Sequence, residues 1–100
     1  MSRAKHIQNK FPEALKAARN ARGLSQEAFS LASSRTYVSS LERGLGIPTL
    51  KKVDELAEVL DLHPLTLLTL SYLGGKDRKA ADALFAQVSR ELLEIWKQTR

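Results

Sequence analysis

The side chains able to do acid–base, nucleophilic or metal chemistry are few in this chain and widely separated. His6 sits in a basic N-terminal segment and His63 precedes a proline. Neither has a histidine or carboxylate at ligand spacing on one helix, such as i and i+4. His63 suits a capping or surface role better than that of a base. Cysteine is absent, which removes disulfides, thiolate metal sites and thiol nucleophiles together. Gly44 and Gly46 lack the lysine–hydroxyl pair that follows the glycines of a phosphate loop. Asp54, Glu55, Glu58 and Asp61 fall around the outside of one helix, where a solvated face is the default reading. No enzyme, metal or cofactor is expected from this inventory.

The basic side chains are more informative. Residues 1–50 carry eight lysines and arginines against three acidic residues, whereas residues 51–100 carry eight of each. The whole net charge of +5 therefore lies in the first half. A one-sided basic surface fits a polyanion, either nucleic acid or an acidic membrane face, or else simply solubilises the chain.

The elements that must carry these charges read as helices. One hundred residues, 43% hydrophobic and 27% charged, suit a single globular domain. No apolar run approaches the roughly 18 residues needed to cross a bilayer. The first ten residues are polar and basic, so no secretory leader is expected, and the lack of cysteine fits a cytoplasmic protein. Apolar residues recur at helical spacing, and no stretch sustains strand alternation. A first helix follows Phe11 and Pro12, carries Ala14, Leu15, Ala18 and Ala21, and stops at Gly23. A second starts at Ser25, whose hydroxyl can cap it, and buries Ala28, Phe29 and Ala32. Ser33 and Ser34 interrupt, and a third with Val38 and Leu41 inward ends before Gly44. Thr49 caps a fourth, with Leu50, Val53, Leu56, Ala57 and Leu60 inward. Pro64 opens a fifth whose leucines at 65, 67, 68 and 70 complete the core or, alternatively, form a partner-binding face, and Gly74 and Gly75 break it. Asp77 caps a long final helix reaching Lys97. The fold expected is all-α, divided into a basic arm over 1–10, a helical domain over 11–73 and a C-terminal helix over 76–98.

Within this frame, two short helices joined by a tight turn lie in basic surroundings. The motifs are Arg19, the run Arg22-Gly23-Leu24-Ser25-Gln26-Glu27, then Tyr37-Val38-Ser39, Leu41-Glu42-Arg43-Gly44, Pro48-Thr49-Leu50 and Leu56-Ala57. Each fragment alone is weak, but their order and spacing from about Leu15 to Leu70 resemble the Cro/repressor-like, Xre-type helix-turn-helix regulators. One departure stands out. The stretch 29–34 is shorter than the family's usual pattern and has Ser33 and Ser34 where a turn glycine is usual.

The resemblance implies a five-helix, lambda-repressor-like DNA-binding domain followed by an amphipathic helix, and a helix over 34–44 that enters the major groove. Arg35, Thr36, Ser39 and Ser40 would then face base edges. Arg35 suits guanine O6 and N7, with a phosphate as the equal alternative. Ser25, Gln26, Tyr37 and Arg43 would contact the DNA backbone, Tyr37 alternatively stacking on the body, and Arg3, Lys5 and Lys10 would neutralise phosphates. In relatives, an arginine in the position of Arg19 reaches a glutamate in that of Glu42, which implies a structural ion pair. The function implied is that of a cytoplasmic, sequence-specific transcriptional regulator, a repressor or autoregulator on a two-fold symmetric double-stranded DNA operator. The alternative is an antitoxin-type DNA-binding protein whose C-terminal region grips a partner protein. Ala81, Phe85, Val88, Leu92 and Ile95 are spaced 4, 3, 4 and 3, with Leu84 and Trp96 flanking. This seam either packs back on the body or pairs with a second subunit. The homodimer is the reading preferred, with Phe85, Val88, Leu92 and Ile95 at its interface.

Overall fold

Pro12 sits in the first turn of the opening helix, where a missing N–H costs nothing, and the described residues form helices joined by turns, with no strand. The computed structural model describes residues 9–30 and 32–98. The elements run α1 (Phe11–Ala21), a single 3-10 turn (Gln26–Phe29), α2 (Arg35–Glu42), α3 (Leu50–Leu60), α4 (Pro64–Leu73) and α5 (Arg78–Gln98). Arg3, Lys5 and most of the basic arm lie outside the described residues. Lys10 is not on a free arm: its N–H donates to the Ser71 carbonyl at 2.9 Å, and its stem lies on Gly74.

Four helix starts follow directly from their capping chemistry. Ser34 Oγ accepts from the Tyr37 N–H at 3.0 Å and Thr49 Oγ1 from the Lys52 N–H at 3.1 Å. His63 Nδ1 accepts from the Leu65 N–H at 2.9 Å, so the imidazole is a cap. Asp77 Oδ1 accepts from the Ala80 N–H at 3.2 Å. Each supplies an acceptor to a first-turn N–H that has no partner within its own helix.

The second expected helix is shorter than its sequence suggested. Gln26–Phe29 forms one 3-10 turn, and the bonds Ala28 N–H to Ser25 O, Ser30 N–H to Glu27 O and Ala32 N–H to Phe29 O all span three residues. Ser25 precedes it in an extended conformation, but its hydroxyl makes no capping bond. Of Ala28, Phe29 and Ala32, only Phe29 is fully buried. The 3-10 form suits a short connection to α2. A 3-10 helix rises about 2.0 Å per residue against about 1.5 Å for an α-helix, so fewer residues cover the same span.

One core joins α1 to α4 through Phe11, Leu15, Ala18, Phe29, Val38, Leu41, Val53, Leu56, Ala57, Leu60 and Leu67. Two inward assignments fail. Leu50, expected to face the core, is 75% exposed, because it sits at the first position of α3 while Val53 and Leu56 form the buried stripe. In α4 only Leu67 and Ser71 are buried, Leu68 packs partly on the core, and Leu65 and Leu70 turn outward. The buried Ser71 hydroxyl is satisfied by Asn9 Oδ1, which also accepts from the Phe11 N–H at 2.9 Å and so ties the start of α1 to α4. Helix α5 buries no residue and packs chiefly against α4. The radius of gyration, 15.2 Å, exceeds the roughly 13 Å of a compact hundred-residue domain because this helix stands off the body.

These placements predict opposite outcomes for two leucines of one helix. Leu56→Ala should cost about 2–5 kcal/mol in chemical denaturation, as loss of a buried leucine does. Leu50→Ala should change stability by no more than about 0.5 kcal/mol, as at other exposed positions.

Candidate nucleic-acid interface

Helix α2 spans eight residues and buries only Val38 and Leu41. At about 100° per residue, Thr36, Ser39, Ser40 and Arg43 point to the side opposite that pair, with Arg35 and Tyr37 on the two flanks. Arg35, Thr36 and Arg43 are exposed, and Ser39 and Ser40 half-buried. The outward face is thus a strip of small hydroxyls bounded by two arginines, which leaves room for a close approach to another surface. Arg43 Nε donates to the Ser39 carbonyl at 3.4 Å, which folds its side chain along the strip.

Tyr37 turns the other way. Its ring is half-buried against the core, with Lys52 Nζ 5.4 Å from the ring centre. The same ammonium donates to the Ala32 carbonyl at 2.7 Å and pairs with Glu55 at 3.1 Å. Of the two roles open to Tyr37, the ring takes the stacking one. Lys52 was not singled out in the sequence, where it reads as one more lysine on a polar helix face.

The orientation of α2 is set by a cluster around Glu42. Arg19 Nε donates to Glu42 Oε2 at 2.6 Å and Arg19 Nη2 to Oε1 at 2.9 Å, a two-pronged pair with side chains only 12% and 4% exposed. Arg19 Nη1 also donates to the Leu24 carbonyl at 2.9 Å. Gln26 Nε2 completes the cluster by donating to Glu42 Oε1 at 3.0 Å. One carboxylate therefore joins α1, the 3-10 turn and α2. Part of the Gln26 amide is spent on this contact, which leaves its second N–H for a partner. Ser25 is exposed beside it.

Burial works to raise the pKa of Glu42, but the hydrogen bonds from Arg19 and Gln26, with the charges of Arg19 and Lys16, outweigh it and hold the carboxyl below the usual glutamate range. The hydrogen bond it donates to Glu42 shifts the pKa of the Arg19 guanidinium upward, against the smaller effect of burial.

Two further contacts had no signal in the sequence beyond the presence of charge. Arg22 Nε donates to the Leu60 carbonyl at 2.8 Å and Nη2 to the Asp61 carbonyl at 3.0 Å, closing the end of α1 on the end of α3. Arg35 Nη1 lies 3.6 Å from Glu27 Oε2 across the mouth of the turn. Phe85, Val88, Leu92 and Ile95 lie on α5, 49%, 41%, 41% and 56% exposed. Among the described residues no group of three or more His, Asp or Glu side chains is placed to hold a metal ion, and no helix is long and apolar enough to cross a membrane.

A family model described as a helix-turn-helix matches residues 15–67, more than half of the chain. That span starts at Leu15 in α1 and ends at Leu67 in α4, so it contains the Glu42 cluster and the whole outward strip of α2. No curated protein and no solved structure matches the chain.

The cluster predicts how stability depends on pH and on its two charged members. Because the folded carboxyl of Glu42 titrates below its ordinary value of 4.5, its contribution is complete above that pH and is lost as the pH falls through the lower, folded value. Glu42→Ala should cost about 3 kcal/mol at neutral pH, since it strands a largely buried guanidinium, and should flatten the acid limb of a stability–pH curve. Arg19→Ala should act in the same direction, and the double variant should lose less than the two losses together.

Proposed function

The chain belongs to the Xre/Cro-like helix-turn-helix family of DNA-binding transcriptional regulators, and from that premise we propose that it is a repressor or autoregulator that occupies a two-fold symmetric operator as a homodimer in the cytoplasm. The observation that carries the reading is the outward strip of α2, polar and flanked by arginine, on a helix tied to the body through Glu42. A major-groove helix needs small polar side chains towards its N-terminal half and a rigid mount behind.

In this reading Arg35 bonds one guanine bidentately, Thr36 offers its methyl to thymine or its hydroxyl to an acceptor, and Ser39 and Ser40 admit the base edges closely. Gln26, with Ser25 and the N–H groups of the turn, seats a phosphate, and Arg43 neutralises another. Lys52, between Tyr37 and Glu55, adds positive charge behind the turn. The Tyr37 ring serves the body of the domain, leaving only its hydroxyl to meet the backbone.

The homodimer reading draws on α5. Phe85, Val88, Leu92 and Ile95 are all more than 40% exposed, and Leu93 and Trp96 are 55% exposed. Leu65 and Tyr72 of α4 add 56% and 49% exposed side chains across a groove of about 840 Å3 that Leu84, Phe85 and Val88 line from the other side. A seam of two heptads is short for helix pairing, and α4 supplies the additional apolar surface that a stable interface needs, about 800 Å2 per partner. Two copies also make the two-fold operator legible, since one helix-turn-helix reads only a few base pairs and half-sites recur about 34 Å apart.

Selection of bound duplexes from a random pool should return a two-fold symmetric consensus. Log affinity for it should fall with log salt at about −0.9 per neutralised phosphate. Arg35→Ala should erase about 1–3 kcal/mol of discrimination at one or two positions, and Arg43→Ala should weaken all sequences alike while reducing the salt slope by about one. An Arg35→Ala chain with unchanged preference moves that residue to the phosphate class.

In the full chain, Leu92→Glu should convert a sedimenting dimer to a helical monomer with much weaker operator binding. A wild-type chain that sediments as a monomer, and that co-purifies with one stoichiometric protein from its host, establishes the antitoxin-type alternative instead.

A further inference from the structure

We propose that Glu27 is a specificity-determining residue, reading a cytosine in the base pair next to the guanine read by Arg35. The proposal rests on α2 being the base-reading helix. Glu27 lies on the 3-10 turn and Arg35 at the first position of α2, and the two side chains meet at 3.6 Å with 70% and 68% exposure. They share the mouth of a cleft of about 250 Å3 with Arg19, Ser25 and Gln26. Residues 30–34 separate the end of the turn from the start of α2, so the two are close in the chain as well.

Stability gives no reason for this pair. Exposed ion pairs are worth between nothing and about 1 kcal/mol, so its charges separate at little cost when a better partner arrives. A carboxylate aimed at DNA is a liability unless it finds a donor, because it faces a surface of phosphates. Of the two glutamates beside α2, Glu42 is buried and already accepts three hydrogen bonds, whereas Glu27 turns outward. The major groove offers the outward carboxylate the N4 amine of cytosine, the base donor matched to Glu, while guanine O6 and N7 are matched to Arg. Successive base pairs are stacked about 3.4 Å apart along the duplex, and the two charges stand 3.6 Å apart. A pair of that width can span neighbouring base pairs when it lies along the duplex axis. A carboxylate has two oxygens, so Glu27 can give one to cytosine while the other stays beside Arg35 as a charge partner. Arg35 and Glu27 then act as a coupled reader of two successive G·C pairs.

The test compares duplexes selected from one random pool by the full-length wild type, Glu27→Ala and Glu27→Gln. The wild type should recover adjacent guanine and cytosine in the half-site. Glu27→Ala should keep the guanine and lose about tenfold of its preference at the cytosine. Glu27→Gln should admit adenine there, because a glutamine amide matches adenine N6 and N7. Combining Glu27→Ala with Arg35→Ala should cost less discrimination than the two separate losses together. A Glu27→Ala chain that keeps every wild-type preference and gains affinity uniformly overturns the proposal, since Glu27 is then only a repelling surface charge. A wild-type chain that recovers no preferred sequence sinks the broader reading of α2 as well, so the two failures are distinguishable.

Discussion

Glu42 is the point at which three separate parts of the chain meet, and the position of α2 depends on it. That helix has eight residues and fully buries only Val38 and Leu41, with the Tyr37 ring packed partly on the core. Helices shorter than about 12 residues do not hold together in water without tertiary support. Val38, Leu41 and the Tyr37 ring fix the depth at which such a helix sits, and its C-terminal end gains a further restraint on rotation from polar contacts. The two-pronged bond from Arg19, with the third donor from Gln26, supplies that restraint at the C-terminal end, while the Ser34 cap holds the other. A single-pronged lysine would leave the rotation looser, because its ammonium lacks the planar fork that fits both carboxylate oxygens. The outward strip is therefore aimed by residues that do not belong to it.

The same cluster accommodates the departure between the turn and α2. Removing residues from a tight helical pair ought to pull α2 out of register with α1. Instead the preceding element gives up its α-helical bonds for a 3-10 turn, which reaches farther per residue. Phe29 still reaches the core, and Gln26 still reaches Glu42. The change falls on the exposed face, where Ala28 loses its expected burial and Glu27 is drawn to Arg35. The exposed face of this segment carries the Glu27–Arg35 pair, while Phe29 and Gln26 keep the mount.

Much of this was legible in the residues themselves. Pro12, Thr49, Pro64 and Asp77 marked helix starts through local rules about caps and missing N–H groups, and Gly23, Gly44 and Gly74 marked ends where φ is positive. The Arg19–Glu42 contact was foreseen only through family resemblance, since nothing in a spacing of 23 residues announces it. Periodicity failed at Leu50 and at Leu65 and Leu70 for one reason. A repeat shows that a residue shares a stripe, but burial needs a covering neighbour on the far side, and among the described residues these positions stay exposed. The pairing of Glu27 with Arg35 and the grip of Arg22 on α3 were hidden because both depend on where the shortened turn leaves the elements in space.

The unburied leucines and the charge distribution have a common logic. The described apolar surface without a covering element concentrates on α4 and α5, in the half of the sequence whose charges cancel, eight against eight. Surfaces with no net charge can approach a copy of themselves without a long-range barrier, and apolar contact then decides the association. The half with net charge +5 carries α1, the turn and α2. Two such halves repel each other until a polyanion lies between them, and the repulsion is relieved as phosphates replace counterions. In the proposed homodimer, association through the neutral half and docking through the basic half would reinforce one another, because bound DNA would remove the electrostatic penalty on holding two copies close together.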